Sequence, residues 1–106
     1  MRLIELDGGE WKSPLDFLQS LAGALGSPEW HGMSPDAFVD SMIWGGINSV
    51  EPPYTVQIKN INYAPSDVTD FVSVMISAIK EARQERFRRR GDNIEVSISA
   101  EDQRAV

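Results

Sequence analysis

The chain has 106 residues, enough for one hydrophobic core and too few for two, and its hydrophobic fraction of 42% is ordinary for a single globular domain. It has no cysteine, which excludes disulfides and thiolate metal sites, and a single histidine, which cannot make a metal site alone. The net charge of −6 sits in the front half: residues 1–58 carry two bases against eight acids, while residues 59–106 balance eight against eight. Such a front half repels nucleic acid and attracts basic partners.

In chain order, Arg2 to Leu6 (RLIEL) is short and apolar and runs into Asp7-Gly8-Gly9, which reads as a strand ending in a turn. Ser13-Pro14 opens a helix, with serine as N-cap, proline in the first position and Asp16 in the first turn. Its apolar stripe is expected at Leu15, Leu18, Leu21, Ala22 and Leu25, and Gly26 stops it. Ser34-Pro35-Asp36 repeats the start signal, with Phe38, Met42 and Ile43 as the buried stripe of a second helix that ends at Gly45-Gly46. After Pro52-Pro53, Tyr54 to Ile61 alternates apolar and polar residues as a strand does.

Ser66 or Asp67 then caps the longest helix, whose stripe is Val68, Phe71, Val72, Met75, Ile76, Ile79 and Ala82. The basic run from Arg83 to Arg90, closed by Gly91, suits the negative end of its macrodipole. Asn93 to Ser99 is a last strand, and residues 100–106 are expected to be a flexible tail after a domain spanning residues 1–99. The expected fold is α/β: a small two-layer domain with a three-stranded parallel sheet packed against about four helices. No apolar run is long enough to span a membrane, and the acidic N-terminus lacks the pattern of a signal peptide. The protein is therefore expected to be soluble and cytoplasmic.

Catalytic signatures are missing. There is no G-x-S-x-G turn, no P-loop and no G-x-G-x-x-G fingerprint, and no cofactor is expected. What remains is an acidic pair, Asp36 and Asp40, four apart and hence on one helix face about 6 Å apart along the axis. Like charges at that spacing disfavour an isolated helix. The separation is comparable to that of neighbouring phosphates on an extended nucleic-acid strand, so such a face could enter a basic phosphate-binding cleft. Glu81 and Glu85 repeat the spacing on the long helix. From spacing alone, a merely solvated face is the simpler account.

The segment from Leu25 to Asp40, LGSPEWHGMSPDAFVD, resembles the signature of the barstar family, small intracellular inhibitors of secreted bacterial ribonucleases. KEARQE in the long helix resembles the family's R-E-A-x-x-E. The resemblance implies a non-enzymatic inhibitor or immunity protein whose partner is a basic nuclease, in the first place a ribonuclease. It implies that Asp40 enters the nuclease active site, with Asp36 beside it. Trp30 and His31 match the aromatic pair of the binding loop and Gly32 its turn glycine, while Glu81 and Glu85 match acids at the interface edge. Three positions depart from the pattern: Ser34 and Pro35 replace asparagine and leucine, and Val39 stands where a bulky aromatic precedes the second aspartate, which makes that part of the contact smaller. Neither a membrane nor an obligate oligomer is implied. The other reading is a nucleic-acid-binding or regulatory protein that uses the Arg83–Arg90 cluster, with Phe87 among its arginines.

Overall fold

The computed structural model describes residues 1–100. Three strands, β1 (Arg2–Asp7), β2 (Tyr54–Lys59) and β3 (Val96–Ala100), form one parallel sheet in the order β1-β2-β3. Arg2 lies opposite Tyr54, and Tyr54 opposite Val96. Three α-helices accompany it, α1 (Pro14–Leu25), α2 (Pro35–Val39) and α3 (Ser66–Arg90), so the expected four helices become three. The difference lies in two short segments of other geometry: a π turn, Asp40–Trp44, which continues α2, and a 3-10 turn, Ile61–Tyr63. The tail expected at residues 100–106 lies outside the described residues except for Ala100, which closes β3.

Alternation along the strands decides which sheet face is covered. Ile4, Tyr54, Val56, Ile58, Val96 and Ile98 point to one side and are buried beneath α1 and α3. The intervening Leu3, Glu5, Thr55, Lys59 and Ser97 lie on the other side, where Lys59 pairs with Glu5 at 2.6 Å and the Thr55 and Ser97 hydroxyls meet at 3.1 Å. Parallel sheets usually need cover on both faces. Here the second face is mostly polar and can remain in water.

In α1 the buried residues are Phe17, Leu18, Leu21 and Leu25, while Leu15 is exposed. Phe17 takes the place expected of Leu15 because its ring packs against Trp11 at 5.2 Å and Phe71 at 6.2 Å. Gly26 ends the helix in the left-handed region (φ 65°), from which the Ser27 N–H reaches back to the Ala22 carbonyl. β2 stops at Lys59 rather than Ile61, because Asn60 turns left-handed (φ 60°) and Ile61 enters the core from the 3-10 turn. At the start of α3 the cap position falls to Pro65. Asp67 instead lies in the first turn, its carboxylate accepting from the Val68 N–H at 3.0 Å.

Candidate functional site

The segment from Ser27 to Trp44 is held in place by a short list of contacts. Ser34 caps α2, its hydroxyl accepting from the Ala37 N–H at 3.2 Å, and Pro35 supplies the first helical residue. Phe38 is fully buried on the inner side of the helix. The Asp40 N–H bonds back to the carbonyls of Asp36 and Ala37, so α geometry spans the acidic pair and sets both carboxylates one turn apart on a common face. Both side chains are exposed, and neither has an ion-pair partner among the described residues. Val39, between them, is half-buried.

Beyond Asp40 the helix widens, and the Gly45 N–H donates to the Asp40 carbonyl at 3.1 Å, five residues back. Ser41, Met42 and Ile43 are buried in succession, a broader inward strip than the sequence stripe of Met42 and Ile43. Single π turns often mark functional segments.

The two aromatics of the loop part company. Trp30 is 73% exposed, whereas His31 is 5% exposed, with its ring 4.3 Å from that of Phe38. His31 Nδ1 donates to the Gly32 carbonyl at 2.7 Å, since a carbonyl can only accept. Nε2 shares a hydrogen bond of 2.8 Å with the Ser41 hydroxyl, which also lies 3.4 Å from the Phe38 carbonyl. Asn48 Nδ2 donates to Ser41 Oγ at 3.1 Å, and the Ser27 hydroxyl donates to Asn48 Oδ1 at 2.6 Å. This relay ties the Trp30 loop to the π turn and to the chain leading into β2. His31 thus holds the loop from inside while Trp30 faces out. A side chain at Gly32 would crowd Ala37, 3.2 Å from the position of its Cβ.

α2 packs on α3, and Arg86 of α3 reaches the Ile43 carbonyl, which places the C-terminal end of α3 beside the π turn. Glu81 is exposed one turn earlier. Glu85 is bound by Arg88 and by Arg89, the latter at 2.8 Å, so it carries little free charge. The whole arginine cluster is engaged internally: Arg83 donates to Asn93, Arg86 pairs with Asp92 at 2.9 Å, and Arg86 and Arg90 lie over the Trp44 ring. These contacts leave less charge free for a nucleic acid than the run of arginines suggests. Nothing in the residue order points to Ser27, Asn48 or Trp44, because their roles depend on contacts across the loops. Ser41 alone had a signal, a small polar residue within an otherwise apolar stripe.

Hydrogen bonds, some within ion pairs, shift several carboxylates. Asp92 is held below its ordinary 3.8 by hydrogen bonds from Arg86, Glu85 below its ordinary 4.5 by those from Arg88 and Arg89, and Asp7 below 3.8 by the Gly9 N–H and Asn60. A carboxyl depressed on folding stabilises the fold fully above its unfolded value, and that support is lost as pH falls through the folded value. The thermal midpoint is therefore expected to hold from neutral pH down to about 5 and to fall on acidification below about 4. Asp7 and Asp92 are exposed and Glu85 is partly so, so 1 M salt should flatten the effect. Calorimetry across pH 7 to 2 at two salt concentrations checks this.

Fold and site together make a small α/β domain with one acidic helix face turned to solvent. It displays an exposed acidic helix face and an outward tryptophan, and no group of three or more metal-ligating side chains occurs among the described residues. The family model for Barstar (barnase inhibitor) matches residues 1–99, and the chain belongs to that family. No curated protein matches it. Among the described residues no helix is long and apolar enough to cross a membrane.

Proposed function

We propose that this protein inhibits a basic bacterial nuclease, in the first place a ribonuclease, by covering its active site with α2 and the Trp30 loop. The unpaired carboxylates of Asp36 and Asp40 on one exposed helix face carry this reading most directly. A cleft shaped for a polyanion attracts such a face at long range and seats it where phosphates would lie, so inhibitor and RNA compete for one surface. Asp40 is the central charge and Asp36 its neighbour. Trp30 and Val39 add apolar contact, His31 and Gly32 set the loop, and Glu81 and Glu85 lie at the edge. The protein acts in the cytoplasm, without turnover and without a cofactor.

The test is RNA cleavage by barnase and a panel of secreted bacterial ribonucleases, titrated with wild-type protein and with an Asp36→Ala/Asp40→Ala variant. Stoichiometric inhibition by the wild type and its loss in the variant support the reading. Equal behaviour of the two proteins reduces the acidic pair to a solvated face and turns attention to the arginine cluster. Trp30→Ala is expected to weaken inhibition about tenfold or more, as truncated interface tryptophans do, while leaving the urea midpoint unchanged because the ring is already in water.

A further inference from the structure

We propose that Arg86 is a positioning residue for Asp40: it clamps the far end of the π turn, and so fixes the carboxylate that the proposed inhibition depends on. α2 and the π turn together run only from Pro35 to Trp44, shorter than a helix that persists alone in water. Their shape depends on what holds them. The core holds Phe38, Met42 and Ile43 from below, and the His31–Ser41–Asn48 relay holds one flank. The carboxyl end needs another partner, because the last carbonyls of a helix have no N–H ahead of them.

Arg86 supplies it. Nη1 donates to the Ile43 carbonyl, while Nε and Nη2 fork onto the Asp92 carboxylate at 3.2 and 2.9 Å. The guanidinium also lies 5.9 Å from the centre of the Trp44 ring, with Arg90 at 5.2 Å from the same ring. One side chain thereby joins α3, the turn before β3 and the segment bearing Asp40. Its side chain is only 16% exposed and each of its three nitrogens donates within the protein, so it is not an arm held out to a partner. Both the fork and the stack need the planar guanidinium, and a lysine ammonium reproduces neither. Arg90 adds its own stack on Trp44 and a positive charge near Asp92.

The test compares Arg86→Met, Arg86→Lys and Asp92→Asn with the wild type. Amide exchange at Gly45, whose N–H closes the π turn, should speed up about tenfold in Arg86→Met, and by more than any change at Val56 and Ile58 in the sheet. Arg86→Lys should fail to restore protection. Asp92→Asn, the gentler variant should Arg86→Met fold poorly, should give the same pattern at smaller size. Against a ribonuclease that the wild type inhibits, Arg86→Met should dissociate about tenfold faster with association changed less than twofold, since the acidic face keeps its charge. Unchanged exchange at Gly45, equal acceleration in turn and sheet, full rescue by lysine, or unchanged dissociation would each overturn the proposal. A wild type that inhibits no ribonuclease of the panel defeats the inhibitory reading instead, and the exchange data still decide whether Arg86 holds the turn.

Discussion

Replacing Asp40 by Ala or Asn is expected to weaken nuclease binding by about 2 kcal/mol or more, the scale of a central interface residue, which corresponds to roughly 30-fold or more in Kd. The size follows from its position. Asp40 is exposed, unpaired and displayed on a helix anchored from beneath, so a bound nuclease would have to remove it from water and compensate it with its own cations. Truncation leaves those cations buried and unmatched. The free protein should scarcely notice, because Asp40 makes no side-chain contact that holds the fold, and surface changes of that kind usually stay within about 0.5 kcal/mol. Asp36→Asn should weaken binding less, and association of the wild type should slow as salt is raised. Titration calorimetry and stopped-flow measurements with the inhibited ribonuclease read all three. An Asp40→Ala protein that binds as tightly as the wild type would remove Asp40 from the interface.

Phe38→Ala should act in the opposite way, leaving the acidic face chemically intact while undermining its support. Phe38 is fully buried on the same short helix as Asp36 and Asp40, and its ring meets that of His31. Buried phenylalanine truncations cost about 3–5 kcal/mol, a large part of the roughly 5–15 kcal/mol that stabilises a domain of this size. The urea midpoint should fall accordingly, and Phe38→Leu should recover much of the loss because it refills most of the cavity. Inhibition by Phe38→Ala should drop in proportion to the fraction still folded. A variant as stable as the wild type would show that the α2 region is not part of the cooperative core.

Alternation in YTVQIKNI and the long stripe from Val68 to Ile79 made the second strand and the long helix legible in the sequence, because periodic burial writes itself into residue order. Serine-proline pairs announced the starts of α1 and α2 for a similarly local reason. The acidic pair was visible as spacing, and the family followed from the loop and helix around it. What could not be read depends on contacts distant in sequence. The π turn follows from three consecutive buried residues and from a bond closed five residues back, and no pattern of residue types specifies that. Trp30 and His31 are adjacent aromatics with opposite fates, decided by Ser41 and Phe38. The arginine run looked like a single basic surface, but its members go to Asn93, Asp92, Glu85 and Trp44.

The uncovered sheet face has a practical use. Thr55, Ser97 and the Glu5–Lys59 pair lie across the strands from the helical layer that carries α2, and among the described residues no helix closes over them. A cysteine introduced at Ser97, in a chain that has none of its own, would be a unique chemical handle. Through it the protein could be fixed to a sensor surface or given a dye, with the acidic helix left facing solution.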